Sequence, residues 1–152
     1  MKKLIIILLL SLFFKTYAQD FTIVQLQEYN KISFDDFKVV VKNKGFTFHD
    51  KTEVGTFKMF EYQKFENDVG YEIAKTIDDE NSLTSITYET SNKNEFDLLL
   101  SSAKKLGYKL IEKGEAFGES YELFKLNNLK MQFNFPDPND KNLKSYGITV
   151  YK

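Results

Sequence analysis

Asn94–Tyr108 reads NEFDLLLSSAKKLGY, and a variant of it stands earlier in the chain at Ser33–Phe46, SFDDFKVVVKNKGF. Each segment has the pattern of one amphipathic helix, stopped by a glycine and followed by an aromatic residue that opens a strand. At an offset of 62 residues Phe34 falls on Phe96, Asp35 on Asp97, Gly45 on Gly107 and Phe46 on Tyr108. The same offset places Ser85-Ile86-Thr87 on Gly147-Ile148-Thr149. What recurs is the cap, the apolar face, the glycine stop and the aromatic, all of them packing features. The charges recur poorly, since Lys104 and Lys105 align with Lys42 and Asn43. The duplicated segment is therefore scaffold, and function is expected on strands that the helices leave uncovered.

Around these two segments the pattern is helix followed by strands. Ser33 with Asp36 three residues on is a capping-box arrangement, and Phe34, Phe37 and Val40/Val41 supply the apolar face. Three consecutive valines cost a few tenths of a kcal/mol each in a helix, so packing must hold it. Asp20–Lys31, DFTIVQLQEYNK, fits both a short helix and an edge strand. The punctuation at Asn30-Lys31 favours the helix. A polar loop is expected from Asp50 to Gly55. Strands are then expected over 56–65, 69–77 and 83–90, joined by turn chemistry at Asn67-Asp68 and Asp78-Asp79-Glu80-Asn81.

In the second half Phe96, Leu99, Ala103 and Leu106 share one helical face, with Asn94 as the expected cap. Tyr108–Ile111 is a short strand and Glu112–Gly118 a loop. Strands follow at 120–126, 129–135 and 144–151, separated by Asn127-Asn128 and the polar turn 136–142. The expected fold is α+β: a tandem α-β-β-β-β repeat in one domain, with halves at about 20–91 and 92–152. Its antiparallel sheet or sheets carry two main helices on one face, and the outward strand residues are polar as on a wet face.

The first 19 residues are set apart from this fold. Lys2 and Lys3 precede Leu4–Phe14, an apolar run broken by Ser11, and Thr16-Tyr17-Ala18 places small residues at the two positions a signal peptidase reads. As a helix the run spans roughly 16 Å, against about 30 Å of bilayer hydrocarbon, which favours a cleaved signal over a membrane anchor. Cleavage after Ala18 leaves Gln19 first; one residue later leaves Asp20. The absence of cysteine excludes a lipid-anchored bacterial lipoprotein and suits a bacterial envelope better than a eukaryotic secretory route. The expected location is the periplasm or the extracellular space, with no membrane insertion of the mature chain.

Every basic side chain other than His49 is lysine. After the signal there are 18 lysines against 22 acidic residues, a net charge of −4. Such a chain is poorly suited to gripping phosphates, so nucleic acid is not an expected partner.

Catalytic equipment is sparse. There is no cysteine, the single histidine is His49, and no nucleophile-elbow pattern surrounds a serine. No second imidazole or thiolate accompanies His49 for a transition metal. Asp137–Asn142 and Asp78–Asn81 are rich in oxygen but lack the glycine and terminal glutamate of a calcium loop, so solvated turns are expected there. Paired carboxylates for a small periplasmic hydrolase are sought among Glu53, Glu115 and Glu119. No cofactor is implied, and no catalytic or metal residue is assigned.

The sharpest departure from simple patterning lies in the first long strand of each half. Phe57 and Met59 alternate with Phe60 and Tyr62; Tyr121 and Leu123 alternate with Phe124 and Leu126. A strand apolar on both sides is covered on both faces, carries a bulge near Met59-Phe60, or exposes an aromatic patch for a partner. Phe57, Met59, Tyr121 and Leu123 are the candidate binding residues. The leading expectation is a non-catalytic exported domain that binds another envelope or extracellular protein. A paired-carboxylate hydrolase and a calcium-stabilised structural protein are the alternatives.

The tandem helix–sheet pattern, with Thr22–Lys44 shaped as short helix, polar joint and capped second helix, resembles the secreted β-lactamase inhibitor protein family. The resemblance is one of topology over nearly the whole mature chain. It departs from that family in lacking cysteines and in showing no separate first helix in the second half, and it carries over no binding residue. It implies that a sheet surface of this kind can serve as a protein-binding face. Tyr17-Ala18-Gln19 and the arginine-free, lysine- and asparagine-rich composition resemble exported proteins of Bacteroidota.

Overall fold

A computed structural model describes residues 20–116, 118–139 and 145–151. The expected signal segment, 1–19, lies outside the described residues, as does part of the oxygen-rich turn at 137–142. Three helices, α1 (Ile23–Lys31), α2 (Phe34–Asn43) and α3 (Lys93–Lys105), pack on one face of an eight-stranded antiparallel sheet. The strands are β1 (Thr47–Val54), β2 (Phe57–Glu66), β3 (Val69–Asp78), β4 (Leu83–Thr90), β5 (Lys109–Ala116), β6 (Glu119–Leu126), β7 (Leu129–Phe135) and β8 (Tyr146–Tyr151). Their order is β1-β2-β3-β4-β8-β7-β6-β5, so two four-stranded meanders meet where β4 pairs with β8. The fold is α+β.

The helix ends follow from local hydrogen bonding. Thr22 and Gln25 form a full capping box at the start of α1, which decides the helix-or-strand ambiguity of that segment. Ser33 Oγ accepts from the Asp36 amide at the start of α2. Gly45 (φ 87°) and Gly107 (φ 96°) end α2 and α3 in the left-handed region that L side chains avoid. After each, the next amide reaches back five residues, Phe46 to Val41 and Tyr108 to Ala103, both at 3.2 Å. The cap of α3 is Asn92, two residues before the expected Asn94; its side chain accepts from the amides of Asn94 and Glu95.

Packing then outweighs propensity. Phe37 and Val41 of α2 are fully buried. Burying each such side chain contributes about 1.5–3 kcal/mol, more than the valine run costs. Phe37 meets Tyr62 edge-on, Phe34 stacks on Phe60, and on the other wing Phe96 of α3 packs against Phe133, Phe135 and Tyr146. Between these helices α1 lies over the seam, where the Asn30 side-chain amide donates to the carbonyls of Thr84 on β4 (3.3 Å) and Val150 on β8 (3.2 Å). Lys75 sits among apolar neighbours because its ammonium donates to the Tyr29 and Asn30 carbonyls (2.9 and 3.3 Å), at the negative end of α1.

Two expectations are corrected. Residues expected as polar loops, 50–55 and 112–118, are largely strand: β1 and β5 run to Val54 and Ala116 as the two edges of the sheet. Edge strands exposed along nearly their whole length show no apolar alternation, so the sequence pattern there is that of a loop. The bulge considered near Met59-Phe60 is absent, since β2 pairs with β3 without a break from Phe57 to Glu66. Bulges fall instead in the edge strands, between Phe48 and Asp50 and between Leu110 and Glu112.

Candidate binding face

Because neighbouring residues on a strand point to opposite sides, the pairing registers define three rows across the face that carries no helix. One row is Thr52, Met59, Thr76, Ser85, Tyr151, Lys130, Lys125, Lys109. The middle row is Asp50, Glu61, Ala74, Thr87, Thr149, Gln132, Leu123, Glu112. The third row includes Gln63, Glu72, Glu89, Gly147, Asn134, Tyr121 and Gly114.

Phe57, Met59, Tyr121 and Leu123 all lie on this helix-free face, each partly exposed. Their partners in alternation, Phe60, Tyr62 and Phe124, join the core under the helices, which explains why β2 and β6 are apolar on both sides. The four do not form one patch. β2 and β6 are five strand spacings apart, about 24 Å at ~4.8 Å per spacing. The floor between them is made of small side chains: Ala74, Ser85 and Thr149 are only 5, 6 and 8% exposed, shielded by larger neighbours on the flanking strands. The face is thus a trough with Met59 on one wing and Tyr121 and Leu123 on the other.

Tyr121 is held in place within the chain. It lies across Gly114, where an added Cβ would stand 2.6 Å from the ring, and its hydroxyl donates to Glu112 at 2.5 Å. Beside it Leu123, Leu83, Tyr151, Gln132, Lys130 and Asn128 line a recess of about 370 Å³, with the Tyr151 hydroxyl donating to Gln132 at 3.3 Å.

The charges on the face were not singled out by sequence pattern. Glu72 stands directly opposite Glu89, and Asp50 opposite Glu61. Burial, then the Glu72 and Asp50 carboxylates, push the Glu61 carboxyl above its ordinary range, against the opposing effect of His49. Burial raises Glu89 as well, with Glu72 and Glu119 adding to it; the Ser145 hydroxyl, donating at 2.9 Å, opposes this. Toward the other end Lys130 opposes Lys125, which opposes Lys109. None of these three lysines makes an ion pair with a described residue. Alternation placed these side chains on the wet side, but which of them face one another is a matter of register between strands.

The other candidates are not assembled into sites. Glu53 and Glu115 lie on the two opposite edge strands, about 34 Å apart across the sheet. Glu115 and Glu119 sit on neighbouring strands but on opposite faces, by their pairing with Ser120 and Ala116. The expected carboxylate pair is therefore not formed by these residues. His49 is exposed at the β1 bulge. The Asp78 carboxylate is engaged by its own turn, through the Thr56 hydroxyl, the amides of Glu80 and Asn81 and the Asn81 side chain. These bonds, the Asn81 side chain foremost, hold its pKa below the usual range. Among the described residues no three His, Asp or Glu side chains converge as metal ligands, and no helix is long and apolar enough to cross a membrane.

The chain matches no family model, no curated protein and no solved structure.

Proposed function

We propose that this chain is an exported, non-catalytic protein-binding domain whose helix-free sheet face contacts another envelope or extracellular protein. The observation that carries this reading is the character of that face. It bears partly exposed Phe57, Met59, Tyr121 and Leu123 and is crossed by directly opposed like charges. Aromatic and apolar side chains held on a rigid sheet lose little entropy on binding. Like charges in direct cross-strand contact cost stability in the isolated chain, and a partner of opposite charge relieves that cost. Export follows from the signal-like residues 1–19, and the tandem halves make the sheet a duplicated unit, in keeping with the topology of secreted inhibitor-type proteins.

A photo-crosslinking side chain at Leu123, compared with one at exposed Leu98 on α3, tests the reading in the producing cell's envelope. A discrete crosslinked product at Leu123, absent at Leu98 and lost on Met59→Lys or Leu83→Lys, is expected. Equal labelling from both positions would remove the face as the binding surface.

A further inference from the structure

We infer that the recess lined by Leu83, Leu123, Asn128, Lys130, Gln132 and Tyr151 binds a small carboxylic acid with a compact apolar body, a medium-chain fatty acid or an aryl acid, its carboxylate held at the Lys130 rim. The inference goes beyond the proposed protein contact, since it needs this one recess and not the whole face.

The shape sets the size of the ligand. Leu83 on β4 and Leu123 on β6 stand three strand spacings apart, about 14 Å, with β8 and β7 between them. Tyr151, Lys130 and Gln132 occupy the ground between the two leucines, and Asn128 comes from the exposed β6–β7 turn. The volume, about 370 Å³, lies at the small end of the range typical of small-molecule sites, roughly 300–1,000 Å³. One ring or one short acyl chain fills such a space.

The walls set its polarity. Leu83, Leu123 and the Tyr151 ring are apolar and partly exposed, so an apolar body gains by covering them. Gln132 is committed at both ends of its amide, accepting from the Tyr151 hydroxyl at 3.3 Å and donating to Asn134 at 2.8 Å. The floor is therefore fixed before a ligand arrives and asks for no further polar partner.

The rim sets its charge. Lys130 is exposed and stands directly opposite Lys125, which stands opposite Lys109, and none of the three is ion-paired with a described residue. No carboxylate lines the recess. The acidic residues beside its two leucines are engaged elsewhere: Asp78, opposite Leu83, by its own turn, and Glu112, opposite Leu123, by the Tyr121 hydroxyl. An anion at Lys130 relieves the repulsion along the lysine row, whereas a cation there adds to it.

Titration of the ¹⁵N-labelled protein with four probes, followed by amide shifts, is the test. Octanoate carries both body and charge, octanol the body alone, acetate the charge alone, and octylammonium the wrong charge. Octanoate is expected to saturate with a dissociation constant of about 1 mM or tighter, as about ten heavy atoms of ordinary ligand efficiency allow. Its shifts should centre on Leu83, Lys130, Gln132 and Tyr151. The other three probes should bind about tenfold more weakly or worse. Lys130→Gln alters only an exposed side chain, so folding is not at issue. It should weaken octanoate about fivefold and leave octanol unchanged, while Lys105→Gln on α3 should change neither.

An absence of saturable shifts at about 10 mM octanoate, ten times the expected constant, overturns the inference. So do equal responses to octanoate and octylammonium, or an unchanged affinity in Lys130→Gln. Binding to phosphatidylglycerol vesicles without a response to octanoate would assign the lysine row to a lipid surface and remove the free acid. A crosslink at Leu123 without octanoate binding removes the ligand and leaves the protein contact; octanoate binding without a crosslink supports the recess and removes the protein contact.

Discussion

The Oγ1 atoms of Thr87 and Thr149 lie 3.1 Å apart, at the one position on the β4–β8 seam where residues 62 apart in sequence become direct cross-strand partners. The offset that aligns the two halves thus ends in a physical contact at the middle of the sheet. Replacing either threonine by valine is expected to cost about 0.5–1 kcal/mol, and replacing both should cost less than the sum. A double-mutant cycle by urea unfolding measures the coupling; strict additivity would show that the two hydroxyls are independently solvated.

Gly114 and Tyr121 are expected to behave as a unit. Gly114→Ala drives a methyl into the tyrosine ring and should destabilise the protein by about 1 kcal/mol. In a Tyr121→Ala background the same change should stabilise by about 0.5 kcal/mol, because alanine outperforms glycine in a strand once the ring is gone. Thermal unfolding of the four proteins decides it, and an unchanged sign would refute the steric account.

Glu95 sits 6% exposed at the first turn of α3, where its Oε1 accepts from the Tyr88 hydroxyl (2.9 Å) and the Asp20 amide (3.1 Å). Burial raises its pKa, and the two hydrogen bonds offset this in part. The folded protein therefore holds this proton to higher pH than the unfolded chain does. Its contribution is most favourable below the unfolded carboxyl pKa and is lost as pH rises through the folded one. Glu95→Gln keeps both accepted bonds and cannot ionise. Its stability relative to wild type should rise from about pH 4 to 7, read as a growing difference in Tm; a constant difference would show that Glu95 titrates as an exposed residue.

Asn30 ties α1 to both halves of the sheet through two carbonyls. Asn30→Ala removes both of these hydrogen bonds and should cost about 2 kcal/mol. Hydrogen exchange should show faster opening at both Thr84–Ile86 and Val150–Tyr151. Opening confined to one strand would mean that the side chain does not bridge the seam.

Much of this architecture was legible in the residues. Glycines at 45 and 107 stop helices wherever those helices pack, and the alternation Tyr71, Ile73, Lys75, Ile77 marks one strand face without knowledge of its neighbours. The four aromatic and apolar candidates were legible as anomalies for the same local reason. The edge strands β1 and β5 were not, because solvent on nearly all sides removes the pattern that betrays a strand. Lys75 stands in that alternation beside apolar residues, but what accommodates its ammonium, the carbonyl end of α1, comes from a segment 45 residues away.

By itself the sequence determined the local matters: helix stops, strand faces and the α+β class, since each depends on side chains within a few positions of one another. Only the tertiary structure decided that β4 pairs with β8, that Glu72 confronts Glu89, and that Lys125 stands between two other lysines. Register between strands is set by the summed burial of a whole face. No single segment encodes it, and the helix-free face takes its character only once that sum has been made.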